Sequence, residues 1–98
     1  MGRLRYDSTL EPIIVDDVTL AHLKIVVATK LRRHESFMMS WQPVGEFADA
    51  RLTAWIHPSI PLVMAFDQSE SPPIDASRVA RMMQSLNAHG ELRIEAEA

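Results

Sequence analysis

The chain has 98 residues, a formal net charge of −3 and no cysteine. It therefore has room for one domain, and a disulfide scaffold, a thiolate zinc site and a thiol nucleophile are excluded. Hydrophobic residues make up 47% of the sequence, as in ordinary globular domains, and the small negative charge gives no overall field that attracts nucleic acid or anionic membranes. We expect residues 1–98 to fold as a single domain.

The N-terminal residues predict a β-hairpin. Residues 4–7 alternate between apolar and polar side chains, residues 8–10 contain turn formers, and Ile13–Val15 is a short apolar strand.

No apolar run approaches the roughly 20 residues that span a bilayer. The first eight residues also lack the apolar core of a signal peptide, so we expect a cytoplasmic protein that does not contact membranes.

The longest helical pattern covers residues 18–34. One apolar stripe recurs at i, i+3, i+7 and i+11, formed by Leu20, Leu23, Val27 and Leu31. Asp16 or Asp17 precedes it as an N-cap, because a carboxylate accepts the free N–H groups of a first helical turn. We expect this helix to lie on the core.

Two further surfaces of the same helix are candidates for function. The basic end, which suits the helix dipole and could neutralise phosphates, comprises Lys30, Arg32, Arg33 and His34. An apolar side, away from the main stripe, comprises Val18, Ala21 and Ile25. We expect another part of the chain or a partner to cover some of this apolar side.

The middle of the chain predicts three strands. Residues 36–42 alternate cleanly except at Met38, residues 51–57 place Trp55 opposite a more apolar face, and residues 62–66 form the third strand. Residues 43–49 form a polar loop that we expect to be mobile. The prolines in residues 57–62 predict a rigid turn.

A second, shorter helix follows Asp75. Its apolar pattern comprises Val79, Met82, Met83 and Leu86, Gly90 supplies a left-handed C-cap, and residues 91–95 alternate as a final strand. The predicted order is β-β-α-β-β-β-α-β. Because most strands are consecutive, we expect an α+β fold with a mainly antiparallel sheet and both helices packed on one face.

Several short segments resemble one family. They are T-L-A-H-L at residues 19–23, K-L-R-R and E-S-F within residues 30–37, S-W at residues 40–41, and H-P-S-I-P-L at residues 57–62. Taken together they resemble a family of small bacterial proteins of about this length, treated as a domain of unknown function. The resemblance covers nearly the whole chain. Many members carry the label ATP-dependent DNA ligase by similarity.

The ligase label has a chemical requirement that this chain does not meet. Such a ligase resembles a nucleotidyltransferase with a K-x-D-G motif, whose lysine is adenylated, and neither Lys24 nor Lys30 stands in that motif. The chain is also too short for an adenylation domain and an OB domain. We therefore expect no ligase catalysis, and at most an accessory role. Glycine is common in the family at the position of His34, where histidine makes a left-handed helix cap less comfortable.

No catalytic or metal site is evident in the sequence. The four histidines are far apart, without an H-E-x-x-H motif, and helix capping explains the adjacent Asp16 and Asp17 better than acid–base chemistry does. No glycine-rich phosphate loop is present. We expect no metal and no cofactor, and an enzyme is the least favoured class because no nucleophile–base pair can be assembled.

Two functions are left open. The leading hypothesis is a non-catalytic domain that acts by protein association as a homodimer, with the interface residues Val18, Ala21, Ile25 and Trp55. The alternative is an accessory domain that binds nucleic acid, with the residues Lys30, Arg32, Arg33 and Trp55. For Trp55 the ordinary alternative is packing beneath the loop at Gly45, and for the basic end it is dipole complementarity alone.

Overall fold

A computed structural model describes residues 2–6, 13–42 and 51–94. In chain order its elements are β1 (Gly2–Tyr6), β2 (Ile13–Val15), α1 (Asp17–Arg32), β3 (Phe37–Trp41), β4 (Leu52–Ile56), β5 (Leu62–Ala65), α2 (Ala76–His89) and β6 (Glu91–Ile94). The predicted α+β class and element order are confirmed. The expected turn at residues 8–10, the expected loop at residues 43–49 and the last residue of the expected final strand lie outside the described residues.

The described strands form two three-stranded sheets. Sheet 1 has the order β2-β1-β5 and is antiparallel throughout. Sheet 2 has the order β4-β3-β6, in which β3 pairs antiparallel with β4 and parallel with β6. The expected mainly antiparallel pairing is confirmed, but the strands expected to form one sheet are divided between two three-stranded sheets.

The two sheets meet at the end of β4. The hydroxyl of Tyr6, on β1, donates a hydrogen bond to the Trp55 carbonyl and accepts one from the backbone N–H of His57 at 3.0 Å. The chain then turns sharply, since the N–H of Ile60 donates to the His57 carbonyl at 3.1 Å. The predicted turn thus leads from sheet 2 into β5 of sheet 1.

Both helices and both sheets contribute to one hydrophobic core. The helix α1 packs against β1, α2 packs against β6, and the two helices contact each other. Of the predicted stripe on α1, Leu20, Leu23 and Val27 are buried and Leu31 is partly buried against the core. The apolar pattern of α2 is less completely covered: Leu86 is buried, but Val79, Met82 and Met83 are only partly buried.

The end of α1 is a left-handed cap built on a histidine. His34 has φ of 59°, its N–H donates to the Leu31 carbonyl at 3.0 Å, and the N–H of Glu35 donates to the Lys30 carbonyl at 3.0 Å. These two bonds define a Schellman motif, in which glycine is the usual left-handed residue. The structure therefore gives His34 the strained backbone expected from the family's glycine at this position.

Candidate association surface

The outer face of sheet 2 consists of the side chains that point away from the core. Because Phe37 and Met39 are buried on the inner face, the alternation of β3 and its neighbours assigns six residues to this outer face: Met38, Ser40, Thr53, Trp55, Glu91 and Arg93. Trp55 lies opposite Met38 in the β3–β4 register and is 54% exposed. A tryptophan left this exposed on a sheet face is a candidate contact residue.

Beside Trp55, a chain of polar side chains crosses the three strands of sheet 2. Ser40, which is 1% exposed, lies 2.7 Å from the Thr53 hydroxyl and donates a hydrogen bond to the Glu91 carboxylate. This hydroxyl lowers the pKa of Glu91 below its ordinary value, because its hydrogen bond stabilises the charged carboxylate. The network fixes the charged end of Glu91 on the outer face and leaves the Ser40 hydroxyl inaccessible as a nucleophile.

The structure separates Lys30 from the rest of the basic end. Lys30 is 9% exposed, its ammonium lies 2.9 Å from the Glu35 carboxylate, and it also donates to the side chain of Asn87 on α2. A phosphate would have to displace Glu35 to reach it. Arg32, Arg33 and His34 are all exposed. Lys30 therefore joins the two helices, and Arg32, Arg33 and His34 are the residues of the basic end that remain open to a ligand.

The exposed arginines stand at the end of α1, shortly before the strand β3 that pairs with the strand of Trp55. Met38 follows His34 by four positions, and Met38 is the cross-strand partner of Trp55. A chain of that length spans at most about 14 Å when fully extended. The basic helix end and the aromatic side chain of the predicted nucleic-acid set are therefore linked by a short stretch of chain and one cross-strand pair.

The apolar side of α1 is divided by the residues that connect β5 to α2. The Asp17 carboxylate accepts the backbone N–H groups of Asp67 at 3.3 Å and Gln68 at 3.1 Å, which holds this connector against α1. Ala21 is buried, whereas Val18 and Ile25 are exposed. A cavity of about 240 Å³ lies between helix and connector, lined in part by Ala21, Ile25, Phe66, Pro72 and Ile74. The chain itself therefore covers part of the apolar side.

The histidines do not converge on a metal site in the part of the chain that the structure describes. There, no group of three or more His, Asp or Glu side chains is arranged to hold a metal ion. His22 is 1% exposed, with Nδ1 2.6 Å from the Val18 carbonyl and Nε2 accepting the N–H of Asp75 at 2.9 Å. His57 Nδ1 accepts the N–H of Ser59 at 3.1 Å within the turn.

Asp16 and Asp17 both have structural partners. Asp16 is the N-cap of α1 and accepts the N–H of Thr19 at 3.0 Å. Burial raises the pKa of Asp16, but the hydrogen bonds from Thr19 outweigh burial and hold the pKa below its ordinary value. Since Asp17 binds the connector, the pair serves to fix α1 in place, in agreement with the capping interpretation.

Sequence reasoning missed three residues that organise this surface. The buried acceptor role of His22 and the sheet-joining role of Tyr6 depend on partners more than 45 positions away. The third is Arg93, which alternates with Glu91 along β6 and was visible only as part of an outward-facing polar pattern. Its position on the edge strand of sheet 2, as far as the described strands show, follows from the β3–β6 pairing, which has no local signal.

Neither described helix is long and apolar enough to cross a membrane. No curated protein and no solved structure matches the chain. One family model does match, over residues 1–97, and its description is a domain of unknown function. This match confirms the resemblance to a small family of unknown function, while the ligase label receives no support from it. Since the matched region spans nearly every residue, the chain belongs to the family described as Domain of unknown function (DUF7882).

Proposed function

We propose that this domain is non-catalytic and acts by associating with protein chains, including a second copy of itself. The observation that carries the proposal is Trp55, which is 54% exposed on the outer face of sheet 2. Met38, opposite Trp55, is partly exposed and extends the apolar patch. Tryptophan is the residue type most enriched among those that dominate binding energy in protein interfaces.

The Trp55 patch is the stronger of the two predicted interface surfaces. On α1, the connector already buries Ala21, so Val18 and Ile25 are exposed without a continuous apolar surface between them. Trp55, in contrast, stands on a strand held by hydrogen bonds to β3 and by Tyr6 at its end. A rigidly held aromatic side chain loses little conformational freedom on binding.

The proposal is tested by replacing Trp55 and measuring association. Trp55→Ser should weaken retention of binding proteins by about 10-fold or more if Trp55 is a dominant contact. The matched control is Val63→Ser, because Val63 is 59% exposed on the outer face of sheet 1. Equal behaviour of both variants and the wild type would remove Trp55 from the interface.

Binding of nucleic acid is the second candidate, favoured by one specific observation. Arg32 and Arg33 are exposed at the end of α1 that leads into β3, and β3 pairs with the strand of Trp55, so phosphate contacts and base stacking could act on one nucleic-acid strand. This is also the one physical basis on which the ligase label of related proteins would concern this chain, as an accessory domain without catalysis. Lys30, which is paired with Glu35, is left out of the proposed contact set.

Fluorescence anisotropy of labelled single-stranded DNA across a salt series tests this candidate. Two lost phosphate contacts should reduce the slope of log K against log salt by about 1.4 for a single strand. The variant is Arg32→Glu with Arg33→Glu, and its control is Arg3→Glu with Arg5→Glu, an exposed pair on sheet 1 with the same change in charge. Binding that both double variants retain equally would rule out the basic end, and no binding at low salt would rule out the candidate.

A further inference from the structure

The edge of sheet 2 that is formed by β6 has no strand partner among the described residues. The sheet order β4-β3-β6 places β6 at the edge, paired with β3 alone. The N–H of Met38 donates to the Gly90 carbonyl at 3.2 Å, in the register that places Met38 beside Glu91. In a parallel ladder, every second residue of a strand directs its backbone N–H and C=O groups to the neighbouring strand. Leu92 directs these groups to β3, so the N–H and C=O groups of Glu91 and Arg93 point away from β3, toward the free edge.

The two residues that face the free edge carry opposite charges. Glu91 and Arg93 are two positions apart, so their side chains lie on the same face of the strand, the outer face of sheet 2. If a second β6 pairs antiparallel with Leu92 opposite Leu92, then Glu91 stands opposite the partner subunit's Arg93. By twofold symmetry, Arg93 stands opposite the partner subunit's Glu91. The strand is therefore complementary to itself in one register.

The backbone favours the same register as the charges. In antiparallel pairs, residues that exchange both backbone hydrogen bonds alternate with residues that exchange none. Here the edge-facing residues, Glu91 and Arg93, are the ones that would exchange hydrogen bonds with the second copy. Leu92, whose backbone faces β3, falls on the non-bonded position at the twofold axis. A register shifted by one residue would lose both the charge pairs and the hydrogen bonds.

Helix α2 adds apolar surface beside this edge. It packs against β6, and of its apolar pattern only Leu86 is buried, while Val79, Met82 and Met83 are only partly covered. A twofold axis through β6 brings α2 close to its symmetry mate on the inner side of the sheet. The partly covered side chains would then be covered further, as in other obligate or stable dimers.

We propose that the domain dimerises by antiparallel pairing of β6 with β6 of a second copy, in the register that sets Glu91 against the partner subunit's Arg93. The inference rests on the proposed self-association and states where the second copy binds. It produces one six-stranded sheet in which both Trp55 side chains lie on the same face. Trp55 then remains available to a different protein, since β4 is at the far edge of each half of that sheet.

Charge exchange on β6 tests the proposal. In sedimentation velocity, Arg93→Glu should raise the dimer dissociation constant by about 10-fold or more, because Glu91 then faces the partner's carboxylate across the edge. Glu91→Arg should do the same by opposing two guanidinium groups. Mixing the two monomeric variants should form a heterodimer in which both cross-strand pairs are again of opposite charge. Interactions within one chain cannot produce this rescue, because mixing leaves each chain unchanged.

A backbone variant and a charge control complete the experiment. Arg93→Pro removes an N–H that faces the free edge and leaves the bonds to β3 intact, so it should give a folded monomer by circular dichroism and sedimentation. Arg5→Glu, which makes the same charge change on sheet 1, should stay dimeric and should not rescue Glu91→Arg.

The outcomes separate this inference from the proposed function. The β6 interface would be overturned if the wild type is dimeric and Arg93→Glu and Arg93→Pro are dimeric as well. If Trp55→Ser loses the dimer instead, the interface lies at Trp55. A wild type that is monomeric at all concentrations would overturn the dimer, while retention of another protein through Trp55 would still support association. Monomeric β6 variants with heterodimer rescue would establish the interface.

Discussion

His22 and Asp75 connect the two helices through a side chain that is 1% exposed. Nε2 of His22 accepts the backbone N–H of Asp75 at 2.9 Å, and Nδ1 lies 2.6 Å from the Val18 carbonyl. Because Nε2 accepts, Nδ1 is the ring nitrogen that donates to the Val18 carbonyl. Because Asp75 is the N-cap of α2, a residue on α1 fixes the point at which α2 begins.

Replacing His22 should destabilise the fold more than replacing any exposed histidine. We expect His22→Ala to lower the free energy of unfolding by about 2–4 kcal/mol, because it leaves a cavity in the core and removes the acceptor for Asp75. Urea denaturation monitored by tryptophan fluorescence measures this loss. His89→Ala, at the exposed end of α2, is the control and should change stability by less than about 1 kcal/mol. Similar losses in the two variants would contradict the assigned role.

The left-handed cap at His34 predicts a stabilising substitution. His34 has φ of 59°, a conformation that glycine adopts without a steric penalty, so His34→Gly should raise the free energy of unfolding by about 0.5–1 kcal/mol. Thermal or urea unfolding measures the gain. The control is Arg33→Gly. Arg33 has φ of −90°, so glycine relieves no backbone strain there and only increases the conformational freedom of the unfolded chain.

Gly90 provides the reverse substitution. Its φ is 68°, and a Cβ added there meets no atom within 4 Å, so Gly90→Ala isolates backbone strain from steric contact. We expect it to cost about 1 kcal/mol. A loss in His34→Gly together with a gain in Gly90→Ala would show that conformational freedom in the unfolded chain, rather than strain at the caps, dominates.

Local sequence patterns predicted the elements well and their assembly poorly. Asp75 is the N-cap of α2 and Gly90 is its C-cap, and both caps act on groups only a few residues away. Capping chemistry was therefore sufficient to predict where α2 begins and ends. The burial of Lys30 was not predictable in that way, because its partner Asn87 is 57 positions away. The pairing of β6 with β3 across the intervening strands likewise depends on the whole fold. The exposure of Trp55, Arg32 and Arg33 agrees with their choice as candidate residues, which stays a prediction.

Gly2 lies where no side chain fits. A Cβ added at Gly2 would approach Leu20 Cδ2 to 2.6 Å, Asp17 Oδ1 to 2.9 Å and the Ala65 carbonyl oxygen to 3.1 Å. Gly2→Ala should therefore push α1 away from β1 and cost about 1–3 kcal/mol in the free energy of unfolding. Urea denaturation measures the cost. An unchanged midpoint would show that the start of β1 can shift away from α1 without loss of packing.

The Lys30–Glu35 pair should contribute measurably to stability because Lys30 is mostly buried. The two charged atoms lie 2.9 Å apart, and the Lys30 ammonium also donates to Asn87. A double-mutant cycle with Lys30→Met and Glu35→Gln should give a coupling energy of about 1 kcal/mol, the upper end of the range for exposed pairs. The burial of Lys30 favours a high value, and the partial exposure of Glu35 keeps it within that range. Lys30→Met should also leave DNA binding unchanged if the basic end acts through its arginines. A coupling energy near zero would show that Asn87 alone holds the ammonium.

The lowered pKa values of three carboxylates predict that the free energy of unfolding falls as pH falls. Hydrogen bonds from Ser77 lower the pKa of Asp75 below 3.8, the Ser40 hydroxyl lowers the pKa of Glu91 below 4.5, and the pKa of Asp16 is also lowered. A folded-state pKa below the unfolded value means that, as pH falls, the unfolded chain binds protons at a higher pH than the folded chain does. The stabilisation is therefore complete above the ordinary pKa values and is lost as pH falls through the lower, folded-state values.

Urea denaturation between about pH 7 and pH 2 measures this dependence. The variant Asp75→Asn keeps a capping side chain that does not titrate, so stability near neutral pH should change little while the decline at acid pH becomes shallower. Asp16→Asn should act in the same direction at the start of α1, because both aspartates are N-caps. A wild-type stability that stays constant down to about pH 3 would show that these hydrogen bonds do not distinguish the folded carboxylates from the unfolded ones.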